Sequence, residues 1–208
     1  MAIMFHGTPI TPTRHLLRMA GMHFCVSFAN PQQADLCEEI GSSVLWDNGG
    51  FSAFTKGVEI DKDKLYSWLD SRLYPPHKAV MLDVIGGSVK EQRQLLAQWP
   101  FPKDLSIPVW HMNLPLDYLK ELCETYGAVC FGSSGEFWRI GTKAWRERAD
   151  AAFEVVEGFP FRPYVHGLRM ASMVWDYPFA SVDSTNVAQN WHRTGCAYCK
   201  AKELARRK

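Results

Sequence analysis

The sequence predicts an α/β protein, a compact single-domain (β/α)8 barrel of the TIM type, and three observations carry that prediction. Short β-rich runs alternate with amphipathic helical stretches over residues 1–190, the signature of parallel βα units. The runs number eight, the count a closed parallel barrel requires. Nearly every run ends in a polar residue, and in such a barrel the C-terminal strand ends converge on one mouth. The chain has 208 residues, fewer than the roughly 250 usual for this architecture, so some helices must be short. An open doubly wound sheet is the alternative.

In chain order the expected strands are Ile3–His6, Phe24–Ala29, Val44–Asp47, Ala79–Asp83, Ile107–His111, Val129–Gly132, Tyr164–Leu168 and Ala180–Asp183. Between them, apolar residues recur at helical spacing: Leu65, Trp68, Leu69 and Leu73, then Leu116, Leu119, Leu122 and Tyr126, then Trp145, Ala149, Ala152, Phe153 and Val156. Each set forms one buried stripe on an otherwise polar helix, which is core packing against a sheet. The stretch from Ala171 to Phe179 is too brief and too Pro-interrupted for a long helix. No repeat or linker divides the chain. Residues 191–208 form a basic C-terminal helix or tail.

Hydrophobic residues at 47% and charged residues at 22% exclude a disordered chain, and no apolar run approaches the roughly 18 residues of a membrane-spanning helix. The first residues, Met1 to Gly7, lack the basic start and long apolar stretch of a secretory signal, so a cytoplasmic protein is expected. Of the six cysteines, Cys25, Cys37, Cys123 and Cys130 stand singly in apolar stretches and read as buried free thiols. Only Cys196 and Cys199 are spaced to act together, in the pattern His192-x-x-x-Cys196-x-x-Cys199. Those three are metal-like in spacing without an evident fourth ligand, so a structural zinc and a reduced metal-free segment are both open readings. The net charge is only +1, yet Arg193, Lys200, Lys202, Arg206, Arg207 and Lys208 stand against the single Glu203, leaving the rest of the chain net acidic. That basic segment would hold phosphates without reading sequence, or form a solvated tail.

The expected strands deliver His6, Asn30, Asp47-Asn48-Gly49-Gly50, Asp83, His111, Gly132-Ser133-Ser134-Gly135-Glu136, His166-Gly167 and Asp183-Ser184 to one rim. A single Asp after a strand is often just a helix N-cap. Three carboxylates, Asp47, Asp83 and Asp183, around one mouth would repel one another, and make better sense as nucleophile, proton carrier and ligand reader. Glycines there let a flat ligand approach main-chain N–H groups. Phe51, Phe54, Phe137 and Trp138 stand near the same rim in the sequence.

These residues resemble a known family. Asp47-Asn48-Gly49-Gly50-Phe51 is similar to the Asp-Ser-Gly-Gly-Phe signature of tRNA-guanine transglycosylases, the base-exchange enzymes of queuosine and archaeosine biosynthesis. Phe131-Gly132-Ser133-Ser134-Gly135-Glu136 resembles their Gly-Gly-x-x-x-Gly-Glu strand end, shortened by one residue. His166-Gly167 is similar to their later Gly-containing strand, and Ser181-Val182-Asp183-Ser184 to the strand carrying their nucleophilic aspartate. The similarity spans most of residues 24–190 in order and approximate spacing.

The resemblance implies that Asp183 attacks C1′ of the target nucleotide and displaces guanine, that Asp47 transfers protons, and that Asp83 accepts hydrogen bonds from the purine. Gly132 and Ser133 would offer amides to the purine carbonyl, with His111, Glu136, His166 and Gly167 completing the base site. The incoming base would be a 7-deazaguanine, no cofactor is needed for the chemistry, and a homodimer is implied. Asn48 replaces the family's Ser, and His111 its base-reading Gln. The chain also lacks the family's Cys-x-Cys-x-x-Cys zinc pattern and any appended RNA-binding domain, so it looks more like the reduced bacterial and phage branch that modifies DNA. DNA is therefore slightly favoured over tRNA as substrate. Two other readings stay open: an N-glycosidase or deoxyribosyltransferase acting on free nucleosides, and a non-catalytic nucleic-acid- or base-binding barrel.

Overall fold

A computed structural model describes residues 2–190. Nine parallel strand segments, β1 (Ile3–Gly7), β2 (His23–Ser27), β3 (Ser43–Asp47), β4 (Lys78–Val80), β5 (Ser106–Ile107), β6 (Val109–His111), β7 (Ala128–Gly132), β8 (Tyr164–Gly167) and β9 (Ser181–Ser184), form one sheet. Its order is β5-β4-β3-β2-β1-β9-β8-β7-β6. The first and last strands pair in register, Phe5 opposite Asp183. The two ends of the sheet, β5 and β6, are halves of a single extended run. The expected fifth strand is thus split in two by Pro108, which has no N–H to donate to a ladder. Its carbonyl still accepts from the Cys130 amide at 2.8 Å, so the chain itself carries the sheet round into a nearly closed barrel.

The economy of length falls on the connections. α1 (Thr13–Leu17) has five residues and α2 (Ala34–Ile40) seven. The crossover from β8 to β9 holds only a short 3-10 turn, Ala171–Met173, where no long helix was expected. Among the longer helices, α4 (Lys62–Asp70), α6 (Leu116–Tyr126) and α7 (Lys143–Glu157) carry the stripes seen in the sequence, with Leu65, Leu69, Leu119, Leu122, Trp145, Ala149 and Val156 all buried, and α5 (Val89–Ala97) buries only Gln92. Leu73 lies beyond the end of α4. α3 (Gly50–Lys56) differs from these: it buries no residue and stands at the barrel mouth, directly after β3. α8 (Asn186–Asn190) ends the described chain.

Strand alternation sorts side chains into two sets. Phe24, Val26, Val44, Trp46 and Ala79 face outward against α2 and α4, and Trp110, Val129, Phe131, Val165 and Val182 face outward against α6 and α7. The inward set is smaller: Phe5, Cys25, Leu45, Val80, Ile107, Val109, Ala128 and Cys130 plug the barrel. Cys25, Cys37, Cys123 and Cys130 are free and buried, as expected. Among the described residues no helix is long and apolar enough to cross a membrane.

Candidate active site

The same alternation that points Leu45, Cys130 and Val109 inward points Asp47, Gly132 and His111 inward two residues later, just above the apolar plug. On β9, Asp183 takes the corresponding inward position and is buried. Burial and the charges of Asp183 and Asp83 push the Asp47 carboxyl above its ordinary range, against hydrogen bonds from Ser27 and from the Gly49 amide at 3.1 Å. The charges of Asp183 and Asp83 thus both reach Asp47 at this end of the barrel. Beneath them, burial and these carboxylates drive the Cys25 and Cys130 thiols far up, so both remain protonated and unreactive.

Asp83 is held at both oxygens. Asn48 Nδ2 donates to Oδ1 at 2.9 Å and to the Met81 carbonyl at 2.6 Å, while its own Oδ1 accepts from the Gly50 amide at 2.6 Å. His111 Nε2 lies 2.8 Å from Asp83 Oδ2. Asn48 thus ties the loop after β3 to the segment that follows β4. The glycines permit it. Gly49 has φ +77°, and a Cβ on Gly50 would lie 2.9 Å from Asn48 Oδ1 and 3.2 Å from Asp83 Oδ1.

Among the described residues, Asp183 is held at one oxygen only. Its Oδ1 accepts from the Arg169 amide at 2.7 Å and lies 3.3 Å from His166 Nε2. His166 Nδ1 is 2.7 Å from Ser181 Oγ, which in turn accepts from the Tyr164 hydroxyl at 2.6 Å. This chain of contacts is satisfied when Ser181 donates to Nδ1 and Nε2–H donates to the carboxylate. Oδ2 carries no hydrogen bond from any described residue. Arg169 reaches Asp183 by adopting φ +58°, the sole non-glycine residue with positive φ among those described. Its guanidinium carbon stands 3.5 Å from the centre of the Phe51 ring on α3. Comparison of the chain with protein-family models, with curated proteins and with solved structures finds no match. The chemistry of these residues stands on its own.

Of the residues expected to hold a base, Asp83, His111 and Gly132 face the hollow. Three do not fit that role. His166 is fully buried and braces Asp183 instead, because it lies one layer deeper on β8. Gly167 falls on the outward phase of the strand, where a Cβ would meet Met170 at 2.9 Å and Phe179 at 3.1 Å, so it serves packing. Glu136 is exposed in the turn Gly135–Phe137 and lies in the field of Arg148. Ser133 turns its hydroxyl outward to accept from Trp145 Nε1 at 2.9 Å, which leaves only its main chain for the hollow. His192, Cys196, Cys199, Arg193, Lys200, Lys202, Arg206 and Arg207 lie outside the described residues. Sequence reasoning missed Ser27, Tyr164, Ser181 and Arg169. The first three had a signal, since each is a polar residue on the inward phase of a strand; Arg169, in a turn, had none.

A groove of about 400 Å³ lies away from the mouth, between α5 and α6, lined by Leu96, Trp99, Phe101, Leu122 and Tyr126.

Proposed function

We propose that this chain is a nucleic-acid base-exchange transglycosylase that replaces guanine with a 7-deazaguanine through a covalent aspartyl–glycosyl intermediate. The observation that carries the reading is the placement of Asp183 and Asp47 in one hollow, with opposite needs met: one carboxylate oxygen left free to attack, and one carboxyl moved toward holding a proton. In the first step Asp183 Oδ2 bonds to C1′ as the C1′–N9 bond breaks, and the departing guanine takes a proton from Asp47. In the second, N9 of the incoming base gives its proton to Asp47 and attacks C1′, releasing the Asp183 carboxylate. Two inversions give net retention. Splitting one difficult displacement in two lowers each barrier, and both pass through an oxocarbenium-like state that the surrounding carboxylates favour.

Asp83, braced by Asn48 and His111, is suited to accept from purine N–H groups through its remaining lone pairs. The target nucleotide has to leave its stack for C1′ to reach Asp183. Phe51, Phe54 and Trp138, all exposed, are available to stack against it. DNA is the favoured polymer, on the resemblance given above, and the reading is compatible both with a structural zinc on His192, Cys196 and Cys199 and with a reduced metal-free segment.

The test is intact-mass analysis after incubation with DNA and RNA oligonucleotides and candidate bases. A mass increase of one glycosylated strand on the native protein, absent in Asp183→Asn, is expected, with deazaguanine incorporated into one polymer. Turnover of free nucleosides alone would instead identify a nucleosidase, and tight purine binding without turnover a non-catalytic barrel.

A further inference from the structure

Arg169 occupies a position whose two ends have different employment. Its amide holds the attacking carboxylate, while its side chain leaves the turn after β8, crosses the mouth and lies on Phe51 of α3, the helix after β3. A non-glycine residue at φ +58° is strained, and such strain persists where the surrounding structure imposes it, commonly at functional sites. Glycine would give the Asp183 contact without strain, so the amide alone does not explain an arginine here. The guanidinium is exposed, and no carboxylate of the described residues lies within ion-pair distance, although three carboxylates stand in the hollow below. It lies over the Phe51 ring, and none of its N–H groups bonds a described residue. A stacked guanidinium with free edges matches the geometry of a phosphate oxygen pair.

We infer that Arg169 binds the phosphodiester next to the nucleotide attacked by Asp183, and so makes the site select a strand over a free nucleoside. The inference rests on the base-exchange reading for the identity of the attacked nucleotide. The logic is spatial: a phosphate flanking a sugar held over Asp183 is the anion that must come near the residue whose amide Asp183 accepts. Arg169 is thus a specificity-determining residue, and Phe51 its support.

The experiment compares Arg169→Gly, Arg169→Lys and the native protein on a guanine-containing single-stranded oligonucleotide and on the same strand with neutral methylphosphonate links flanking the guanine. Glycine keeps the backbone conformation and the amide to Asp183, so the variant isolates the side chain. Binding is read by fluorescence anisotropy and exchange by mass. Arg169→Gly should weaken binding to the charged strand by about ten- to a hundredfold. It should barely change binding to the neutral strand, and lysine should restore part of the loss. Equal loss on both strands, or no loss on either, overturns the inference. Because anisotropy does not require turnover, a charge-selective loss without exchange leaves Arg169 as the phosphate contact and removes only the base-exchange reading. Exchange that persists unchanged in Arg169→Gly removes only the arginine.

Discussion

Asp183 Oδ1 is clamped by the Arg169 amide and His166, and the orientation of Oδ2 follows from that clamp. His166 is therefore a positioning residue. If Asp183 is the nucleophile, as proposed, Ser181→Ala, which leaves the imidazole free to turn, should lower kcat by roughly tenfold or more with little change in KM, since misplacing that carboxylate costs orientation rather than substrate binding. Steady-state kinetics on an oligonucleotide checks this, and a rise in KM alone would count against it. Two buried groups give opposite pH responses. Asp47 has its folded-state pKa raised, so the native state holds the proton more tightly than the unfolded chain, and stability falls as pH rises from the ordinary carboxylate value through the raised one. Asp47→Asn should therefore be more stable than the native protein at neutral pH, with the difference vanishing in acid, as read from urea midpoints. His6 is pushed down to about 4 by burial and by His23, and its Nε2 has no hydrogen-bond partner among the described residues. Its native state resists protonation, so stability is lost as pH falls from about 6.5 toward 4. His6→Phe should suppress that loss, which is on the order of 3 kcal/mol.

Among the elements, α5 and α3 stand at opposite ends of a range. α5 begins with a capping box in which Ser88 Oγ accepts from the Glu91 amide and the Glu91 carboxylate accepts from the Ser88 amide at 2.7 Å. This holds Glu91 below the usual carboxylate range. Ser88→Ala should cost about 1 kcal/mol, measurable by denaturant unfolding. α3 gains nothing from burial: Phe51 and Phe54 are more than half exposed, and its ends are set by Gly49 and Gly57 in left-handed conformations. A five-to-seven-residue helix is marginal without packing, so its place is held by the Gly50–Asn48–Asp83 contacts and the Arg169 stack. Phe54→Ser should change stability by less than about 0.5 kcal/mol yet weaken oligonucleotide binding, if the stacking role is right. An unchanged affinity would assign Phe54 to no function at the mouth.

At the scale of the whole molecule, the barrel is held by three apolar clusters, one inside and two between sheet and helices. The inner plug is the smallest, and polar contacts such as His23 Nδ1 to Ser43 Oγ at 2.7 Å continue it. Leu45 belongs to that plug and is buried on all sides, directly below Asp47. Leu45→Ala should cost about 2–5 kcal/mol, the established large-to-small range, and the unfolding transition should stay single because the continuous run from β5 through Pro108 to β6 joins the two ends of the sheet. Two separated transitions would mean that the halves flanking the Pro108 break fold apart.

The chain by itself determined the strands, the stripes on the long helices, and the inward phase that carries Asp47 and Asp183 to one rim. These are local properties, written in alternation and helical spacing along a few residues. Only the tertiary structure decided the partners: Asn48 and His111 on Asp83, His166 and Arg169 on Asp183, Phe51 under a guanidinium from the far side of the mouth. It also decided that His166 lies beneath the site while Gly167 faces the helices, and that Pro108 splits the fifth strand where the sheet closes on itself. Such contacts join residues 14 to 35 positions apart or more, and they depend on how far each strand is staggered along its neighbour. Alternation specifies which face a side chain takes; stagger, a property of the closed ring, specifies what it meets there.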